Sequence, residues 1–248
     1  MSPSHPRPVA LITGAGRRVG AVIARTLHGA GYDLALHYRH SADAAQSLAG
    51  ELEQQRADST TLVHGELAEL DALPGLVGNV LTRFGRLDAL INNASAFYPT
   101  PVGSATPAQW DELFASNAQA PFFLAQAATP ALRRAGGAIV NLVDIYAERP
   151  LADHPVYCMA KAALMAMTRS LALDLGPQVR VNAVAPGAVM WPSEGKAYDD
   201  KQAMLERTPL KRAGAPEDVA SAVLWLLRDA PFVTGQVIRV DGGRTLSV

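Results

Sequence analysis

Short, continuously apolar runs alternate along this chain with longer stretches whose apolar positions recur every three or four residues. The runs at 9–13, 33–38, 61–64, 89–92, 138–143, 180–184 and 237–240 lack the strict alternation of a half-exposed strand. They are therefore predicted to be strands buried on both faces. Helical spacing covers 18–30, 42–56, 70–84, 109–134, 155–175 and 216–227. Parallel strands need crossovers of that length, and helices on both faces complete their burial. The pattern predicts an α/β fold, a Rossmann-type doubly wound parallel sheet in three layers. No linker, repeat or low-complexity tract interrupts residues 1–248, so a single domain is expected. One long interval, 186–212, carries no periodic element and follows the sixth strand. Ligands in such folds sit beyond the carboxyl ends of the strands, so this interval is read as a substrate lid; the alternative is a mobile surface loop.

Composition narrows the partner more than the fold. The 248 residues are 49% hydrophobic and 18% charged, enough apolar material for a sizeable core. Twenty-two basic side chains against 23 acidic ones leave a net charge of -1. That balance gives no basic footprint for nucleic acid and no polybasic patch for a membrane, and a small-molecule partner is expected. Cys158 is the single cysteine, which excludes an internal disulfide and a cysteine-cluster metal site; no metal is expected. The apolar run at 9–13 is too short for a signal segment or a membrane span, so the expected location is the cytoplasm.

The first strand leads into Thr13-Gly14-Ala15-Gly16-Arg17-Arg18-Val19-Gly20 and then a helix. Glycines there let the backbone turn tightly and approach a pyrophosphate, while free N–H groups at the helix start bind it. At the end of the second strand, where a carboxylate would accept from the ribose of NAD, the chain reads His37-Tyr38-Arg39-His40-Ser41. No acid lies in that stretch. Arg39, aided by Ser41 and by His40 or Arg17, is read as accommodating the 2'-phosphate of NADPH. Further on, Tyr157-Cys158-Met159-Ala160-Lys161 sits in a helical stretch. Its i, i+4 spacing puts phenol and ammonium on one face, where the cation lowers the tyrosine pKa and makes a proton donor. Asp144, at the end of the fifth strand, is by itself the kind of strand-end aspartate that caps or hydrogen-bonds the following loop.

With these elements in order, the chain resembles the short-chain dehydrogenase/reductase family from Val9 to Gly243. Its departures from the family's general pattern, namely Arg18 for the middle glycine of the turn, Ser95 for the glycine of the Asn-Asn-Ala-Gly element and Asp144 for a serine, resemble the pteridine reductase branch. Arg17-Arg18, His37-Tyr38 and the run Asn93-Ala94-Ser95-Ala96-Phe97-Tyr98-Pro99 carry that resemblance with Tyr157 and Lys161. It implies that Gly14, Arg17, Arg18, Gly20, His37, Tyr38, Arg39, Ser41, Asn93, Ala94 and Ser95 bind cofactor. Glu66-Leu67, in place of the family's Asp-Leu, would lie near the adenine, and Pro186-Gly187 would close over the nicotinamide. Arg18, Ser95, Phe97, Asp144 and Tyr157 would hold a pterin, with Phe97 stacking on it and Met190 and Trp191 contributing from the lid. Asn117 matches a helix asparagine whose backbone distortion seats a water linked to the lysine.

The resemblance implies reduction of oxidised pterins or dihydropterins, biopterin or folate forms, with hydride to C6 and a proton to N5, or hydride to C7 and a proton to N8. Asp144 would relay the proton through Tyr157, Lys161 would orient the ribose, and the family's tetrameric assembly is expected. The alternatives are a dihydromonapterin or dihydrofolate reductase, a 3-oxoacyl or carbonyl reductase, and a redox-sensing regulator that binds NADP without turnover.

Overall fold

Each of the seven apolar runs forms a strand, and all seven lie parallel in one sheet of order β3-β2-β1-β4-β5-β6-β7. The strands are β1 Val9–Ile12, β2 Asp33–Tyr38, β3 Thr60–His64, β4 Ala89–Asn92, β5 Ala138–Leu142, β6 Arg180–Pro186 and β7 Val237–Val240. The structure is a computed structural model and describes residues 7–189 and 201–247. Every residue of β1, β4 and β5 is buried, whereas the edge strands β3 and β7 are partly exposed. Continuous apolarity in the central strands thus follows from helices covering both faces.

Alternate strand residues feed two separate cores. Ala10, Ile12, Leu34, Leu36 and Ile91 pack against α1 (Arg18–Gly29), α2 (Ala42–Gln55) and α8 (Pro216–Arg228). Val9, Leu11, Leu90, Ile139 and Val181 pack against α3 (Leu73–Phe84), α5 (Ala120–Ala135) and α6 (Pro155–Leu175). The side-chain period of two along a strand makes this division unavoidable. By length and composition α6 would suit a bilayer, yet it buries Tyr157, Lys161, Leu164, Thr168 and Leu171 inside the protein.

Two stretches differ from the sequence reading. The helix expected at 109–134 begins earlier, as α4 (Pro107–Phe114), where Thr106 and Gln109 form a reciprocal cap. It then passes through one π-helical turn at Ala115–Gln119 before continuing as α5. The interval 186–212, expected to lack regular structure, holds a short helix, α7 (Lys201–Arg207). Met190 and Trp191 lie outside the described residues.

Strand order reverses between β1 and β4, because β2 lies on one side of β1 and the chain returns to the other. A crevice opens at the carboxyl ends there, where doubly wound sheets bind ligands. Beside it a third apolar cluster, including Leu113, Val143, Ile145, Tyr146 and Val156, supports Tyr157 from below.

Candidate active site

The turn after β1 is built by hydrogen bonds from three strands. Gly14 has φ +63°, the left-handed region that glycine enters without penalty. Asn93, just past β4, donates through Nδ2 to the carbonyls of Thr13 at 2.8 Å and Gly14 at 3.1 Å. Thr13 Oγ1 in turn accepts from the N–H groups of Asn93 at 2.9 Å and Ala94 at 3.0 Å. Gly20 backs directly onto the turn: a β-carbon there would stand 2.3 Å from the Gly14 carbonyl oxygen and 2.6 Å from Asn93 Nδ2. No side chain caps the start of α1, and Arg17, Arg18 and Val19 line the crevice. That leaves first-turn N–H groups and the positive helix end for an anion, so the residues present fit a pyrophosphate. Arg18, where the family pattern has glycine, takes φ +53° and carries the left-handed strain itself.

His37 lines the crevice with both ring nitrogens engaged by the protein. It is buried, its Nδ1 accepts from the Gly14 N–H at 3.2 Å, and Nε2 donates to the Gly65 carbonyl at 3.2 Å. These partners fix the neutral tautomer, and burial pushes its pKa down to about 4. Nδ1 therefore braces the turn, and Nε2 ties β2 to the chain just past β3. Asn93 likewise spends its side-chain amide on the turn, and Asn182 pins β6 to the chain before β7 through Val233 and Gln236.

Beyond β2, Tyr38, Arg39, His40 and Ser41 line the same crevice. The absence of an acid near Arg39 holds only along the chain. Tyr38 pairs with His64 in the β2–β3 register, and Glu66, two residues on, forms an ion pair with Arg39. The carboxylate missing from β2 thus arrives from β3. Leu67 is buried beside it.

At the other end, β5 delivers Asp144 and α6 delivers Tyr157 and Lys161. Asp144 Oδ2 accepts from the Tyr157 hydroxyl at 2.8 Å, while Oδ1 accepts from the Tyr146 N–H at 2.9 Å and fixes the carboxyl plane. Lys161 Nζ donates to the Leu142 carbonyl at 2.8 Å and lies 5.8 Å from the centre of the Tyr157 ring. Phenol and ammonium share a helix face as expected, but the hydroxyl is bonded to the carboxyl group. Burial raises the Asp144 pKa, opposed by hydrogen bonds from Tyr146 and Tyr157 and by the charges of Lys161 and Arg244. Burial also lowers the Lys161 pKa to about 8, with Asp144 pulling it back. A phenol tied to a carboxyl group whose pKa is raised can give up a proton and be resupplied.

Phe97 stands edge-on to Tyr157, with ring centres 4.8 Å apart at 80°. Its face is stacked on His154 at 4.8 Å and 13°, so a ligand ring has only the opposite face. His154 is buried and its Nδ1 lies 2.7 Å from the Ala152 carbonyl oxygen. Nothing in the sequence singled it out, since an isolated histidine before a proline carries no spacing signal.

Ser95 lines the crevice, but its hydroxyl donates to Asn117 Oδ1 at 2.7 Å. Asn117 is fully buried behind the crevice wall, within the π-helical turn, and donates to the carbonyls of Leu113 and Ala96 at 2.9 and 3.0 Å. The expected backbone distortion is therefore present, and Ser116, not Asn117, reaches the crevice surface. Pro186 and Gly187 line the far wall, where Gly187 packs so close to Asp241 that a β-carbon would lie 2.9 Å from its Cα. Asp241 itself accepts from Gly243 and Thr245 and shapes the C-terminal turn.

The crevice encloses about 780 Å³ and runs unbroken from Arg39 to Tyr157. Among the described residues, no cluster of His, Cys, Asp or Glu suits a metal ion. A glycine turn at the switch point and a buried Tyr-Lys pair at the far end of one crevice define a nicotinamide-dinucleotide oxidoreductase. Comparison with known proteins makes this narrower. A family described as Enoyl-(Acyl carrier protein) reductase matches residues 14–245, and the chain belongs to the short-chain dehydrogenase/reductase family. It is 35% identical to Pteridine reductase 1 of Leishmania tarentolae, covering 100% of this chain and 99% of that protein. It is also 36% identical to a protein designated ketoacyl reductase 2 of the granaticin polyketide synthase from Streptomyces violaceoruber, covering 96% of each. The 3-oxoacyl-[acyl-carrier-protein] reductase FabG of Staphylococcus epidermidis is 34% identical, covering 94% of this chain and 97% of that protein.

Proposed function

We propose that this reductase acts on pterins with NADPH. The observation that carries the reading is the 2.8 Å hydrogen bond from the Tyr157 hydroxyl to a carboxylate, Asp144, beside the aromatic edge of Phe97. A ketone oxygen needs one proton donor, which a tyrosine with a neutral hydroxyl neighbour supplies. A pterin ring nitrogen needs a proton while the amino-pyrimidine side offers N–H donors, and a carboxyl group serves both demands, passing a proton through Tyr157 when protonated and accepting from N–H groups when ionised.

When bound, the reduced nicotinamide supplies a hydride. The turn at Gly14 and the start of α1 would hold the pyrophosphate, Arg39 with Ser41 the 2'-phosphate, and Lys161 the ribose hydroxyls. Phe97 would take the pterin on its open face, with Arg18 and Ser95 at the rim. Tyr157 would deliver a proton to N5, and Asp144 in its protonated form, favoured by its raised pKa, would resupply the phenol. A dihydropterin, NADPH and one proton thus become a tetrahydropterin and NADP. The wall from Pro186 to Val189 opens onto the substrate end, and the segment it begins is assigned the choice among biopterin, monapterin and folate forms. Exposed Trp110, Phe122 and Phe123 on α4 and α5 suit a subunit contact in a homotetramer. A reducing compartment, the cytoplasm, suits the lone buried Cys158.

The second reading, a 3-oxoacyl reductase, is favoured by the 36% and 34% identities to ketoacyl and 3-oxoacyl reductases. Purified protein with NADPH, offered dihydrobiopterin, dihydrofolate and an acetoacetyl thioester, separates the two. Turnover of the pterins is expected; turnover of the thioester alone would establish the second reading instead.

A further inference from the structure

Arg39 and Glu66 follow neighbouring strands and meet on the wall of the crevice that also holds Tyr157. Their pairing is set by the sheet. Tyr38 and His64 are opposite in register, the Gly65 N–H donates to the Tyr38 carbonyl at 3.2 Å, and Arg39, one residue past β2, and Glu66, two residues past β3, line the same opening. Glu66 is held from behind as well, because its Oε1 accepts from the Ala68 N–H at 3.1 Å, which leaves Oε2 for Arg39. The contact is made at Nε, and the two outer nitrogens of Arg39 have no other partner among the described residues.

In a doubly wound sheet this is where the adenosine ribose carries either a 2'-hydroxyl or a 2'-phosphate. A carboxylate accepts from the hydroxyl and repels the phosphate, whereas a guanidinium does the reverse. One crevice here presents both groups, side by side and ion-paired. We propose that Glu66 is a specificity-determining residue for the cofactor. It serves the ribose hydroxyl of NADH and holds Arg39 back from the phosphate of NADPH, so that the enzyme discriminates between the two less than Arg39 alone would dictate.

The proposal rests on nicotinamide-dinucleotide binding in this crevice but not on the identity of the reducible substrate. Its test therefore measures nucleotide affinity directly, by titration calorimetry on full-length protein without substrate. Glu66→Gln keeps the Oε1 acceptor for Ala68 and removes the charge. It is expected to tighten NADPH roughly threefold and weaken NADH by a similar factor, raising the affinity ratio about tenfold. In an Arg39→Ala background, the same substitution should no longer tighten NADPH by releasing Arg39, and most of the NADPH gain should vanish. An unchanged or falling ratio in Glu66→Gln would overturn the proposal, as would an undiminished NADPH gain in the Arg39→Ala background. Failure of the wild-type protein to bind either nucleotide would instead defeat the reading on which the proposal rests, whereas binding without pterin turnover would leave this inference standing.

Discussion

Tyr157, Asp144 and Lys161 form a buried group in which desolvation raises the Asp144 pKa and lowers that of Lys161. Removing the phenolic hydroxyl with Tyr157→Phe should cost roughly 10²–10⁴-fold in kcat with little change in KM, measured by steady-state oxidation of the reduced nicotinamide cofactor. The Lys161 pKa of about 8 gives a direction to the pH profile. Its ammonium is present below that value and is lost as pH rises through it, so kcat/KM should fall on the alkaline side of about pH 8. Lys161→Met should lower activity throughout and abolish that limb. The same depression makes the folded chain bind fewer protons than the unfolded chain between about 8 and 10.5, so this group's contribution to stability improves as pH rises across that window. Arg18 offers a separate test. Its left-handed backbone costs about 1 kcal/mol. Arg18→Gly should therefore raise the urea midpoint of the ligand-free protein while weakening binding of the substrate.

Among the elements, the turn between β1 and α1 was the most legible, because its glycines are demanded by backbone geometry that no side chain can imitate. Gly20→Ala drives a methyl group into the Gly14 carbonyl and the Asn93 amide. Loss of about 1–3 kcal/mol of stability is expected from overpacking, together with at least a tenfold loss in nucleotide affinity by calorimetry. The π-helical turn at Ala115–Gln119 was not legible from periodicity. A single i to i+5 slip barely disturbs the apolar stripe, and only the family pattern pointed to Asn117. That side chain compensates the slip by donating to the Leu113 and Ala96 carbonyls. Asn117→Ala leaves buried carbonyls without those donors. Chemical denaturation should show it about 1–3 kcal/mol less stable, and the loosened Ser95 should raise the KM for the reducible substrate.

For the molecule as a whole, acid should act through a residue outside the Tyr157–Asp144–Lys161 group. His37 has a folded pKa of about 4 against an ordinary 6.5. The unfolded chain binds the extra proton first, so stability falls as pH drops from 6.5 towards 4, by roughly 3 kcal/mol at the limit. Thermal unfolding across that range checks the slope, and His37→Gln should flatten it. The class of fold was written in the alternation of apolar strands and periodic helices, since burial on two faces leaves no polar positions in a central strand. The left-handed turn at Gly14 and the shared helix face of Tyr157 and Lys161 were equally readable, because turns and i, i+4 spacings are local. What the sequence alone did not contain was adjacency between strands. The order that sets β3 beside β2 carried Glu66 to Arg39, and the packing of the loop after β4 against α6 laid Phe97 on His154. Those partners are separated along the chain by tens of residues, and only closing the sheet and covering it with helices brings their charges and rings within interaction range.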